Sequence, residues 1–151
     1  MKPILSFDQV EISFENGPVV QDVSFDLHPG EILGLVGESG SGKTTLIKAA
    51  MGLLNSNGYV SHGDIYFENT NILDLKESEM RHIRGAKMGM IFQDAGASLC
   101  PIRTIGEQII ESMRAHGKIH KVEAKAKALD LFEELNFHDG ERVWNSYPFE
   151  L

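Results

Sequence analysis

The sequence predicts an α/β fold, and three observations predict it. Two stretches near the start alternate apolar and polar residues, a glycine-rich loop stands between an apolar run and a helix-spaced one, and the last third carries helical signals. With 151 residues and 42% apolar content, the chain can bury a real core.

The elements follow in order. Residues 4–14, "ILSFDQVEISF", and 19–27, "VVQDVSFDL", are joined by Glu15-Asn16-Gly17-Pro18. Alternation on both sides of a turn signal predicts an antiparallel hairpin. His28-Pro29-Gly30 turns the chain into "EILGLVG", a short apolar run that reads as a buried strand. Next, "KTTLIKAAMGLL" carries Leu46, Ala49, Ala50, Leu53 and Leu54 at helical spacing. After the loop Asn55-Ser56-Asn57-Gly58, "GDIYFE" (63–68) is a further strand candidate. A short helix over about 76–84 stops at Gly85, and "AKMGMIFQ" (86–93) reads as a second core strand.

From Asp94 the texture changes. "DAGASLCPIRT" is a loop of small residues, and Thr104 with Glu107 has the spacing of a capping box, opening a helix through about Ala115 that Gly117 closes. A second helix, about 120–135, places Val122, Leu129, Phe132 and Leu135 on one stripe and pairs Glu123 with Lys127 on the outer face. The final "WNSYPFEL" ends in aromatic and apolar side chains without a polar tail, and reads as cut rather than finished.

Charge and composition narrow the function. No apolar run approaches the ~20 residues of a membrane span, and the first residues lack the apolar stretch of a signal peptide, so a cytoplasmic chain is expected. Cys100 is the single cysteine and has no partner for an internal disulfide. Net charge is -8, and residues 1–75 hold three bases (Lys2, Lys43, Lys48) against ten acids. Such a balance argues against a nucleic-acid surface. His116 and His120 have the spacing of a metal pair, yet Gly117 interrupts the helix and no third ligand is evident, so a solvated pair is expected.

The chemistry concentrates in Gly37-Glu38-Ser39-Gly40-Ser41-Gly42-Lys43-Thr44. Ordering glycine is entropically costly, so this cluster between two ordered elements needs a local reason, and close approach of a ligand is one. The pattern G-x-x-x-x-G-K-[ST] turns successive backbone N–H groups into one concavity that cradles phosphate oxygens. The following helix adds its positive end, Lys43 reaches the outer phosphates, and the Thr44 hydroxyl suits Mg²⁺. A nucleotide triphosphate entering this acidic half meets few other cations, so Lys43 carries unusual weight.

Three stretches together, "VGESGSGKT", "MIFQDAGASLCPIRTIGEQI" and "YPFEL", resemble the ATP-binding subunits of ABC transporters, most closely the oligopeptide, dipeptide and nickel importer group. The resemblance runs over essentially the whole chain. It implies a P-loop NTPase (ABC ATPase) core, with a parallel core sheet, an antiparallel β subdomain before it and a partial helical subdomain after it. Residues 1–93 would form the nucleotide-binding core with the Walker A loop and the Q-loop, and 94–151 part of the helical subdomain. Gly37 through Thr45 match the ATP-binding loop and first helical turn, including Thr45. Gln93 matches the Q-loop glutamine, which in that family meets Mg²⁺ and the attacking water; read plainly, it is a polar residue ending a strand. Phe14 falls where the family stacks an aromatic on adenine, and as a plain residue it is part of a strand core. Ala95 and Cys100 stand where this group commonly has proline and asparagine, which bears on the contact with the permease.

The resemblance further implies ATP and Mg²⁺ as cofactors, transmembrane permease subunits and a second ATPase subunit as partners, and a substrate-binding protein indirectly. The location implied is the cytoplasmic face of the membrane. In the family, "YPFEL" leads into a Ser-Gly-Gly signature, with the catalytic base, its Mg²⁺-binding aspartate and the switch histidine further on. The isolated chain is therefore expected to self-associate along an apolar edge, bind ATP weakly and hydrolyse none. Two rivals are a small-molecule kinase, which usually begins with its phosphate loop, and a non-transport ABC protein acting on DNA or ribosomes.

Overall fold

The computed structural model describes residues 2–94 and 96–151, and the chain divides into two compact units between Met88 and Gly89. In the first unit the hairpin forms as its alternation dictates. Strand β1 (Leu5–Phe14) pairs antiparallel with β2 (Gly17–Leu27) on one side and β3 (Tyr59–Phe67) on the other. A two-residue β4 (Thr70–Asn71) completes the order β2-β1-β3-β4.

The inward residues of β1 are Phe7, Val10 and Ile12, so the alternation changes parity midway. A bulge does this: Gln9 has φ 48°, the register slips between Phe7 and Val10, and the Gln9 N–H is taken by Ser24 Oγ at 2.8 Å. One extra residue restores the apolar side chains to the core face, which a strict two-residue period would have turned outward.

Helix α1 (Lys43–Ala50) buries Leu46, Ala49 and Ala50 in a core with Val10, Ile12, Val20, Ile65 and Phe67. It is shorter than its apolar pattern suggests. Gly52 N–H bonds Ala49 O at 2.9 Å and Leu53 N–H bonds Lys48 O at 2.8 Å, a two-bond stop with Gly52 at φ 60°. Leu53 is left exposed. Helix α2 (Glu77–Ile83) follows, and Arg84 behind it donates to Met51 O at 2.7 Å and Gly52 O at 3.0 Å, satisfying carbonyls at the end of α1.

The two strands expected at 31–37 and 86–93 do not form. Residues 31–38 carry no strand pairing, with Ile32 99% and Val36 94% exposed, and Ile91 is 95% exposed. A strand exists only through a neighbour that takes its N–H and C=O groups, and among the described residues the first run has none and the second has only an isolated bridge at Met88. The four-stranded sheet is antiparallel throughout, and the one parallel pairing among the described residues is the isolated bridge Arg84–Met88.

The second unit is helical. Helix α3 (Ile105–His116) starts on the expected capping box, with Glu107 N–H donating to Thr104 Oγ1 and Thr104 N–H to the Glu107 carboxylate. In α4 (Lys121–Glu134) the pair Lys127–Glu123 forms at 2.8 Å, but the buried stripe is Ala124, Ala128 and Phe132. Val122 and Leu135 are 83% and 60% exposed, because the two alanines let a neighbouring element approach where larger side chains could not. An unanticipated α5 (Gly140–Asn145), capped by Asp139, contributes Val143 and Trp144 to this core. The Trp144 indole lies directly over Gly106 of α3, where a Cβ would collide with the ring.

Candidate functional site

Residues 37–42 link the exposed segment to α1 and form the candidate site. Gly40 and Gly42 have φ of 83° and 87°, the left-handed region that glycine enters without strain. At Gly42 space forbids a side chain as well. A Cβ there would stand 2.7 Å from Val20 Cγ2 and 3.2 Å from Val19 O, so the start of β2 forms the floor beneath the loop. Nothing in the sequence pattern pointed to Val19 and Val20 as supports of the site.

Lys43 folds back across the loop. Its Nζ donates to Gly37 O at 2.8 Å, Glu38 O at 2.6 Å and Ser41 Oγ at 3.3 Å. The ammonium is thus held where the loop's own acceptors converge, on a side chain anchored in the first turn of α1. That helix begins at Gly42 without a side-chain cap and has no acid in its first turn. An uncapped helix end leaves N–H groups with positive partial charge and no protein acceptor. Cation, uncapped N–H groups and a glycine cradle form a donor set suited to phosphate oxygens, so the residues fit a nucleotide's phosphates. The exposed hydroxyl of Thr44 is the group available for Mg²⁺, with Thr45 beside it half-buried. Glu38, Ser39 and Ser41 are exposed along the loop.

Phe14, at the end of β1, is half-buried and packs on the first core; its ring covers Gly58, where a Cβ would meet Phe14 Cε1 at 2.6 Å. The loop 37–42, α1 and Phe14 belong to the first unit. Gln93 belongs to the second, in an exposed bend. Cys100 is half-buried beside α3, and Ala95 lies outside the described residues.

Residues 20–151 match the family described as ABC transporter. The chain belongs to the ABC transporter family. That membership sets aside the small-molecule kinase. The chain is 42% identical to the probable D,D-dipeptide transport ATP-binding protein of Escherichia coli (strain K12), over 99% of this chain and 47% of that protein. It is 40% identical to the oligopeptide transport ATP-binding protein of Bacillus subtilis (strain 168), over 98% and 43% respectively. It thus spans under half the length of these curated relatives. Among solved structures, it resembles an ATP-binding cassette in a dimeric, post-hydrolysis state bound to ADP and Pi, with TM-score 0.81 and 25% identity over 97% of this chain and 62% of that one. An ABC cassette accounts for the antiparallel sheet and helices described above. Among the described residues no helix is long and apolar enough to cross a membrane, and no group of three or more His, Cys, Asp or Glu side chains is placed to hold a metal.

Proposed function

We propose that the complete subunit binds Mg-ATP on the loop Gly37–Thr45 and that its hydrolysis powers import of peptides or of nickel. The observation that carries this reading is the uncapped start of α1 beneath a lysine gathered over a glycine cradle. Relatives named for dipeptide and oligopeptide transport support the substrate class.

In this reading the backbone N–H groups of the loop and first turn bind the phosphates. Lys43 turns from its carbonyl partners to the outer phosphates, exchanging neutral acceptors for charged ones. Thr44 would hold Mg²⁺, which would supply charge neutralisation on the phosphates, and Gln93, by its match to the family's Q-loop, would serve the hydrolysis step. Phe14 offers a ring face to the base from the end of β1. The subunit pairs with a second ATPase subunit and with permease subunits at the cytoplasmic face of the membrane, and a substrate-binding protein delivers the cargo. Residues 94–151 act as part of the helical subdomain that meets the permease.

The test is Lys43→Ala in the complete subunit. ATP affinity, measured by calorimetry at fixed Mg²⁺, is expected to fall by ~1.5–3 kcal/mol, about ten- to more than a hundredfold. Unchanged affinity would overturn the site. ATP-driven uptake of peptide or nickel into vesicles bearing the assembled complex tests the transport step. Hydrolysis there without uptake of either would return the reading to a non-transport ABC protein.

A further inference from the structure

The second unit contains a side-chain clamp that the proposed site does not use. Gln108, in the first turns of α3, is half-buried, and its carboxamide reaches back to the turn Cys100–Arg103. Its Oε1 accepts the Cys100 N–H at 2.8 Å. Its Nε2 donates to Cys100 O at 3.1 Å and to Arg103 O at 3.0 Å. One amide thus satisfies both backbone groups of Cys100, as a neighbouring peptide unit in a sheet would. Only a carboxamide presents a donor and an acceptor side by side for this.

Between Gln93 and this turn, the bonds among the described residues are local. Ala97 N–H goes to Asp94 Oδ1 at 3.1 Å, Ser98 Oγ to Asp94 O at 3.2 Å, and Leu99 N–H to Gly96 O at 3.2 Å. Residues 97–99 are thus tied to Asp94 and Gly96, and Gln108 fastens the turn that follows them to α3. A second polar tie among the described residues is the Arg103–Glu111 ion pair, which is exposed and correspondingly weak.

We infer that Gln108 is a positioning residue for coupled hydrolysis: it locks the Cys100–Arg103 turn to α3, so that displacement at Gln93 and displacement of the helical unit occur together. The inference rests on the proposed transport function. Coupling needs a rigid connection, because a slack one lets one end move without the other.

The experiment uses the complete subunit, alone and assembled with its permease and binding protein in vesicles. Gln108→Met keeps side-chain length and helix propensity but removes the carboxamide's hydrogen bonds to Cys100 and Arg103. ATP affinity and basal hydrolysis of the subunit alone are expected to stay within about twofold, while the transport-stimulated increment in hydrolysis falls at least about fivefold. Glu111→Gln, which cuts only the exposed pair, should keep the increment within about twofold. Where Gln108→Met melts early, Gln108→Glu carries the test. It keeps the acceptor for Cys100 N–H and loses both donated bonds, so the increment should again fall while amide exchange at Cys100 stays slow. An increment retained within about twofold in both Gln108 variants overturns the inference. Absence of any stimulation in the unaltered complex overturns the transport reading itself, and this inference with it.

Discussion

Replacing Gly42 by alanine tests how the loop is built. Gly42 sits at φ 87° and ψ 2°, and a left-handed residue with a Cβ costs roughly 1–2 kcal/mol. The added carbon would lie 2.7 Å from Val20 Cγ2 and 3.2 Å from Val19 O. Val20 is 6% exposed in the first core, and its β-branched side chain is restricted at χ1. Overpacking of this kind costs about 1–3 kcal/mol, so the total is ~2–5 kcal/mol. The protein divides that cost between lower stability and displacement of the loop from its observed shape. Urea unfolding of the complete subunit should show the first part and ATP calorimetry the second. Because strain and collision are separate, Val20→Ala in the same chain should recover the collision part, giving a favourable coupling of about 1–2 kcal/mol in a double-mutant cycle. Stability within about 0.5 kcal/mol of the parent with ATP affinity within about twofold would refute the account.

Three further expectations follow from named contacts. Phe14→Ala should weaken ATP by ~1–3 kcal/mol while inorganic triphosphate binds nearly as before; equal losses for both would make the ring on Gly58 a packing residue alone. Gly106→Ala should destabilise, since the ~1 kcal/mol that alanine gains in a helix is smaller than the ~1–3 kcal/mol of driving a methyl into buried Trp144; as the single tryptophan, its fluorescence reports the displacement, and a higher melting temperature would contradict the packing. Glu77 is held below the usual carboxylate range, first by its hydrogen bond to Arg84, which also grips the end of α1. A lowered folded-state value means that its stabilisation is present above the ordinary value of 4.5 and lost as pH falls below it, so Glu77→Gln should lower stability slightly at neutral pH, converge with the parent at low pH, and thereby flatten the acid limb of the stability profile below pH 4.5. Identical acid limbs for parent and variant would exclude that contribution.

Local signals were legible wherever neighbours in sequence supply the interaction. The hairpin, the capping box at Thr104 and the Glu123–Lys127 pair each depend on residues a few positions apart. The bulge at Gln9 was not, because its cause is the partner strand's register. The stripe of α4 is legible in part, in Phe132 and Leu129, but close packing selects Ala124 and Ala128 over Val122 and Leu135, which depends on the neighbouring element.

By itself, the sequence determined the chemistry of the loop. Glycines at 37, 40 and 42, a lysine at 43 and a hydroxyl at 44 specify backbone donors, a cation and a hydroxyl oxygen through the short range of the chain they occupy. Tertiary structure decided what the loop rests on and what becomes of the apolar runs beside it. Val19 and Val20 come under Gly42 only because β2 returns along β1, a contact that no local pattern encodes. The run "EILGLVG" has every mark of a buried strand yet carries no strand pairing among the described residues, since a strand's backbone is satisfied across the sheet and not along the chain.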